Sequence, residues 1–129
     1  MESLLKQQPP LLFLGSRPGL IRVFRTLNQD LDIEPCLLAD KRPVSFPGFP
    51  RFRFVRLGLP HNTHYVLYTL RSIAYDEEPN RTSILVPCTL EFNELVKRNL
   101  YEIEAEFIVL PYERLLGMLP TPDETKVFS

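Results

Sequence analysis

The chain has 129 residues, 44% of them hydrophobic, and a formal net charge of −1 at pH 7. These values are typical of one globular domain, and the near-zero charge argues against non-specific binding to nucleic acid or to a membrane surface. No apolar run approaches the length of about 20 residues that a membrane-spanning helix needs, and residues 1–10 lack the apolar core of a secretory signal. We therefore expect a cytoplasmic protein in which Cys36 and Cys88 are reduced thiols.

Short apolar runs alternate with amphipathic segments along the chain, after a loose lead-in over residues 1–10. The apolar runs predict strands over residues 11–14, 33–39, 51–57, 83–87 and 106–111. Apolar positions at helical spacing predict helices over residues 18–29, 63–75, 90–100 and 113–118. The tail over residues 120–129 contains prolines and charges and is typical of a linker.

Individual residues indicate where several of these elements begin and end. Pro18 suits the first position of the first helix, with Arg17 at or near its cap. Thr89 is the expected cap of the third helix, whose apolar stripe would extend to Leu100. Arginine alternates with phenylalanine and valine over residues 51–57, which predicts an edge strand with its aromatic side chains in the core and its arginines in water. A nucleic-acid-binding face is the alternative for that strand, and the near-zero net charge argues against it.

The alternation of strands and helices predicts an α/β fold. We expect a Rossmann-like three-layer α/β/α domain over residues 11–119, built on a mostly parallel sheet of about five strands. In such a sheet, ligands bind beyond the carboxyl ends of the strands, where the strand order reverses. Those ends are expected in the loop after Ala39 and at two further groups of residues, namely Gly15, Ser16 and Arg17, and Pro87, Cys88 and Thr89.

The turn between the first strand and the first helix reads Gly15-Ser16-Arg17-Pro18-Gly19. It lacks the three spaced glycines of a dinucleotide-binding loop, and it lacks the lysine that ends a phosphate-binding loop. Backbone N–H groups at the helix start, together with the Arg17 side chain, would favour a carboxylate or a phosphate. A plain strand-to-helix turn is the alternative, and the residues alone leave both interpretations open.

Nucleophilic and metal chemistry have weak support in the sequence. Cys88 lies between a strand end and a helix start, a position that can lower the pKa of a thiol, and His61 and His64 are candidate bases. No third group that would orient a base can be identified, so we expect Cys88 to serve in packing. Two histidines and two distant cysteines do not match the ligand spacing of zinc sites. We therefore expect neither catalytic nor metal-binding residues in this chain, and His61 remains a candidate substrate-facing loop residue.

Four motifs occur together in chain order. The first strand ends in Leu-Gly-Ser, a helix opens with Pro-Gly-Leu-Ile-Arg, the second strand closes in Ala-Asp, and Ile-Leu-Val-Pro-Cys-Thr precedes an acidic helix. With these motifs, residues 11–126 resemble the N-terminal (pre-ATP-grasp) domain of ATP-grasp carboxylate–amine or carboxylate–thiol ligases. The Asp-Glu-Thr-Lys segment over residues 123–126 is similar to the family's next domain boundary, without the usual adjacent Asp-Lys.

Enzymes of that family activate a carboxylate as an acyl phosphate with ATP and Mg²⁺, after which an amine or another nucleophile attacks. The resemblance implies that ATP and Mg²⁺ bind in the family's later domains, so no cofactor is expected in this chain. Its expected partners are those domains, or a separate chain that supplies them, and a small carboxylate or amino-acid substrate. By position, the resemblance places that substrate against Gly15, Ser16, Arg17, Pro87, Cys88 and Thr89, with Arg17 pairing a carboxylate.

Three functions follow as hypotheses. The first is the substrate-side domain of an ATP-grasp ligase, present here as a fragment or as a free-standing remnant and not catalytic alone. The second is a stand-alone Rossmann-like module that binds a nucleotide or an anionic metabolite. The third is a structural interaction domain that forms a homodimer through a sheet edge or an apolar helix face.

Overall fold

The computed structural model describes residues 5–43, 48–57, 62–77 and 81–119. Five parallel strands form one sheet in the order β3-β2-β1-β4-β5. The strands are β1 (Leu11–Leu14), β2 (Cys36–Ala39), β3 (Arg53–Arg56), β4 (Ser83–Pro87) and β5 (Phe107–Val109). Five helices connect or follow them: α1 (Leu20–Leu31), α2 (Thr63–Glu77), α3 (Leu90–Arg98), α4 (Leu100–Glu104) and α5 (Tyr112–Met118).

Helices cover both faces of this sheet, because successive strand residues point to opposite sides and both sets are apolar. In β1, Leu11 and Phe13 face α1 and α5, whereas Leu12 and Leu14 face α2, α3 and α4. The ring of Phe13 meets that of Phe24 in α1 edge-on, with the ring centroids 5.0 Å apart. The Rossmann-like three-layer α/β/α fold expected from the sequence is confirmed.

The first helix begins two residues later than predicted. Gly19 is its N-cap, with φ +87° and ψ −8°, and Leu20 is its first residue. The left-handed conformation of Gly19 interrupts helical geometry after Pro18, so Pro18 does not occupy the first helical position. Arg17 consequently lies two residues before the cap.

The predicted third helix is two helices that meet at Asn99. The Asn99 side-chain amide donates to the Leu95 carbonyl at 2.8 Å, and its backbone N–H donates to the Val96 carbonyl. These local bonds end α3, and α4 begins at Leu100. Leu100 is 39% exposed, so the prediction that it extends the apolar stripe is wrong, and Ile103 fills the core position instead.

The strands β2 and β3 are shorter than predicted. Pro35 lacks an N–H, and its carbonyl accepts a hydrogen bond from Arg53 N–H at 2.8 Å, so regular pairing begins only after it. The predicted edge position of β3 is confirmed. Its arginines are exposed, Phe52 just before the strand is buried, and Phe54 is half-buried.

The described part of the expected loose lead-in is packed against the domain. The Leu5 side chain is 1% exposed and belongs to the core on the face of the sheet that α1 and α5 cover. The Arg81 guanidinium donates to the carbonyls of Gln7 and Gln8 at 2.6 and 2.8 Å. Leu5, four residues before the first proline, is thus a core residue, although its polar neighbours in the sequence argue against burial. The expected linker over residues 120–129 lies outside the described residues.

We predict that Gly15→Ala destabilises the domain by about 2–4 kcal/mol, because a Cβ combines backbone strain with a steric clash. Gly15 has φ +89°, and its Cβ would lie 2.7 Å from Thr89 Cγ2. Chemical denaturation of the purified variants measures the change.

Two other glycines are matched controls for that measurement. Gly48 has φ +82° with nothing within 4 Å of its Cβ position, so Gly48→Ala isolates the strain, at about 1–2 kcal/mol. Gly117 has neither feature, and Gly117→Ala should be neutral or stabilising. Equal losses at Gly15 and Gly48 would contradict the close approach to Thr89.

Candidate functional site

The strand order reverses between β1 and β4. From β1 the chain adds β2 and β3 on one side, and it then crosses to add β4 and β5 on the other. The exits of these two strands are joined by their backbones, since Cys88 N–H donates to the Leu14 carbonyl at 2.8 Å. Such a reversal leaves a crevice beyond the strand ends, because the loops leave toward opposite faces of the sheet.

A small cleft of about 190 Å³ lies at this crevice. It is bounded by the exits of β1, β2 and β4 and by the first turn of α3. Its lining consists of Gly15, Ser16, Ala39, Asp40, Thr89, Glu91 and Phe92. The side chains of Ser16, Asp40 and Glu91 are exposed, so the mouth of the cleft carries one hydroxyl and two carboxylates.

The six residues predicted to bind substrate lie at one end of the sheet, but they do not all reach its surface. Gly15 is buried, and a Cβ on it would lie 2.7 Å from the Thr89 methyl group, so its role is to let β1 and α3 approach closely. Pro87 and Cys88 are also buried. The Thr89 hydroxyl accepts a hydrogen bond from Phe92 N–H at 3.2 Å and thereby caps α3, as predicted. The side chains within reach of a ligand are those of Ser16, Arg17 and Thr89.

Arg17 is only partly exposed. Its guanidinium carbon lies 4.1 Å from the centroid of the Tyr112 ring, a cation–π distance. One terminal nitrogen donates to the Cys88 carbonyl at 3.5 Å, and the same nitrogen lies 3.7 Å from Glu113 Oε1. Arg17 thus links the exit of β1 to the exit of β4 and to the start of α5.

Sequence reasoning missed Tyr112 because it considered the exits of β1, β2 and β4 and not that of β5. In a parallel sheet, the exit of β5 must lie at the same end as the others. Tyr112 is the first residue of α5 and is 4% exposed. An aromatic residue that directly follows a predicted strand and a proline was the signal available.

The Cys88 thiol is unsuited to nucleophilic catalysis. Burial raises its pKa from the ordinary 9.0 to about 12, although the nearby Arg17 acts in the opposite direction. Its Sγ lies 3.4 Å from the Val86 carbonyl, to which the thiol donates. His64, one of the candidate bases, is exposed in the first turn of α2, and His61 lies outside the described residues.

A second cavity, of about 650 Å³, lies at the opposite end of the sheet, where β4 and β5 begin. The Arg71 side chain in its lining is already paired. Arg71 Nε lies 2.6 Å from Glu106 Oε2, and Arg71 Nη2 lies 3.8 Å from Glu102 Oε2. The cleft predicted from strand order, at about 190 Å³, is smaller than this cavity. Within the described ranges, no three His, Cys, Asp or Glu side chains are grouped so that they could hold a metal ion.

The chain matches no protein-family model, no curated protein and no solved structure. Among the helices in the part of the chain that the structure describes, none has the length and apolar character needed to cross a membrane. The chemistry of the site must therefore be inferred from its own residues.

We predict that Arg17→Ala lowers the free energy of unfolding by about 1 kcal/mol, because it removes the contact with the Tyr112 ring and a long hydrogen bond. Thermal or chemical denaturation measures the loss. Arg22→Ala is the control, since the exposed Arg22 side chain makes no ion pair or hydrogen bond among the described residues, and it should change stability by less than about 0.5 kcal/mol. A loss of several kcal/mol at Arg17 would show that the domain requires this residue to fold.

We also predict that Cys88 makes stability depend on pH in the alkaline range. Because burial raises the pKa of the folded thiol to about 12, the unfolded chain releases this proton above about pH 9 while the folded chain keeps it. The contribution of Cys88 to the free energy of unfolding is fully present below pH 9. Above pH 9 this contribution falls by at most about 1.4 kcal/mol per pH unit.

Comparison with Cys88→Ala isolates this contribution, since other groups titrate equally in both proteins. The difference in unfolding free energy between wild type and variant should shrink from about pH 9 to about pH 11. A difference that does not change with pH would mean that the thiol titrates normally in the fold.

Proposed function

We propose that this chain is a substrate-binding α/β domain that holds a small amino-acid-like molecule in the cleft beyond β1 and β4. We further propose that it does so as the substrate-side domain of an ATP-grasp carboxylate–amine or carboxylate–thiol ligase. The observation that carries the proposal is the meeting of three strand exits around one cleft at the strand-order reversal. The ligase assignment is supported by the resemblance of the Leu-Gly-Ser and Leu-Val-Pro-Cys-Thr motifs, which border this cleft.

The size of the cleft favours a small ligand group. Sites that enclose a whole drug-sized ligand usually have about 300–1,000 Å³, whereas this cleft has about 190 Å³. A nucleotide would not be enclosed here, but the ammonium end of an amino acid would. The absence of the three-glycine loop also argues against a nucleotide. The alternative of a stand-alone nucleotide-binding module is therefore the less supported one.

The charges at the cleft favour a ligand with an amino group. Asp40 follows the end of β2, and Glu91 lies in the first turn of α3, where it also complements the helix dipole. Two exposed carboxylates at one small opening attract a cation and disfavour an anion inside the cleft. The Arg17 guanidinium extends from the turn after β1 to Cys88 and Tyr112, which do not line the cleft. The two ends of an amino acid would thus face opposite charges.

The chain's own residues bind and orient in this proposal and do not carry out the ligation. Ser16 and Thr89 offer hydroxyls, and Asp40 and Glu91 hold an ammonium group. ATP and Mg²⁺ would be bound by other domains or by a partner chain, where the acyl phosphate would form. The cytoplasm is the expected compartment of such an enzyme.

An interaction domain is a second candidate, favoured by the exposed tyrosines of α2. Tyr68 and Tyr75 are 72% and 73% exposed and border the cavity of about 650 Å³. Exposed aromatic residues are enriched in protein interfaces. Sedimentation analysis distinguishes this role. A dimer that Tyr68→Ser and Tyr75→Ser dissociate would support it, whereas a monomer with an intact amino-acid site would favour the ligand-binding domain.

Calorimetric titration with a panel of free amino acids tests the binding function. We expect at least one of them to bind the wild-type chain, and Asp40→Asn to weaken that binding about tenfold, because an ammonium–carboxylate hydrogen bond is lost. The variant Asp30→Asn is the matched control. Its side chain is exposed in α1, outside the cleft lining, and the affinity should not change.

An assay of ATP hydrolysis with Mg²⁺ and the same amino acids tests the division of labour. The isolated chain should show no turnover, with or without amino acid. Turnover that depends on Mg²⁺ would contradict the assignment to a substrate-side domain. Equal amino-acid affinity of the wild type and Asp40→Asn would contradict the cleft as the binding site.

A further inference from the structure

No side chain caps the N-terminus of α1. This helix has 12 residues, its N-cap Gly19 offers no side chain, and its first turn contains no acidic residue. The N–H groups of Ile21 and Arg22 have no hydrogen-bond partner among the described residues. By contrast, α2 and α3 are capped by the side chains of Asn62 and Thr89. Unpaired N–H groups at a helix start carry partial positive charge and favour an anion.

Tyr112 presents a hydroxyl group to this helix start. Its oxygen lies 4.0 Å from the position that a Cβ on Gly19 would take, and the residue is 4% exposed. The hydroxyl has no hydrogen-bond partner among the described residues. Ser83 Oγ is the one fully buried side-chain polar atom there without a partner, so the Tyr112 oxygen keeps contact with solvent and a ligand can reach it. Burial raises the pKa of Tyr112, so the group keeps its proton and can donate it to an acceptor.

Arg17 adds a full positive charge at the same place. Its guanidinium lies over the ring of Tyr112, and its polar partners among the described residues are the Cys88 carbonyl and the Glu113 carboxylate. A guanidinium has five N–H donors, so several remain available. Glu113 is 79% exposed and 3.7 Å away, and an ion pair of this kind is weak and can be displaced.

We propose that the N-terminus of α1, the Arg17 guanidinium and the Tyr112 hydroxyl form a binding site for the oxoanion of the ligand, a carboxylate or a phosphate. The anion site stands on these contacts alone. Its assignment to the acidic end of the substrate rests on the proposed function. The ammonium end would then occupy the Asp40 and Glu91 cleft across the Gly15–Gly19 turn. Glu113 acts as an internal competitor that holds Arg17 when the site is empty.

Amide NMR of the full chain, titrated with inorganic phosphate and separately with acetate, tests the site. The Ile21 and Arg22 amide signals should shift and saturate with at least one anion. The anion that binds more tightly identifies the oxoanion of the ligand as a phosphate or a carboxylate. Tyr112→Phe should weaken this binding about tenfold, because one hydroxyl donor to a charged acceptor is lost. Glu113→Gln should tighten it several-fold by removing the competing carboxylate.

A matched variant and a stability measurement distinguish anion binding by Tyr112 from a purely structural role. Tyr101→Phe changes a tyrosine in α4 that is 93% exposed, and it should leave the anion affinity unchanged. The melting temperature of Tyr112→Phe should equal that of the wild type, since the hydroxyl has no partner to lose. Shifts of the Ile21 and Arg22 amides that do not saturate, or equal anion affinity in Tyr112→Phe, would overturn the proposal.

The two proposals can fail separately. Saturable phosphate or acetate binding without amino-acid binding would support the anion site and contradict the proposed function. Amino-acid binding that weakens in Asp40→Asn and is unchanged in Tyr112→Phe would contradict the anion site and support the function.

Discussion

The close approach of the β1 exit to the start of α3 is the constraint on which the site depends. Gly15 packs against Thr89 with no room for a Cβ, and Cys88 N–H bonds to the Leu14 carbonyl. Because β1 and β4 are neighbouring parallel strands, this contact brings two loops together that are more than seventy residues apart along the chain. Without it, the turn after β1 and the cap of α3 would not border one cleft.

In the proposed anion site, Arg17 would serve both stability and binding. Its stacking on Tyr112 and its contact with the Cys88 carbonyl hold the exits of β1, β4 and β5 together. A guanidinium held in this way loses little further freedom when it meets an anion, and such preorganisation favours binding. The weak pair with Glu113 supplies a counter-charge while the site is empty.

Charge divides the end of the sheet into two regions. Asp40 and Glu91 lie at the cleft on the side of α3, whereas Arg17 and the start of α1 lie on the side of α5. The turn over residues 15–19 separates them. A ligand that carries both an ammonium and an acidic group matches this arrangement better than a simple anion does. The buried thiol of Cys88 contributes packing between the regions and stays protonated at neutral pH.

Local patterns in the sequence determined much of the fold. The apolar run at residues 83–87 is β4, Thr89 caps α3, and the arginine-rich strand lies at the sheet edge, as predicted. Burial on two faces, a capping hydroxyl and exposed charges are each encoded by neighbouring residues, so a local pattern is enough to predict them. Only the tertiary structure decided the break at Asn99, the burial of Leu5 and the position of Tyr112. Each of these depends on contacts between segments distant in sequence or on competition between hydrogen bonds, and a local pattern does not determine the outcome of either. For the same reason, the sequence predicted the end of the sheet at which the proposed site lies, whereas the surroundings of Arg17 emerged only from the packing of α5 against β4.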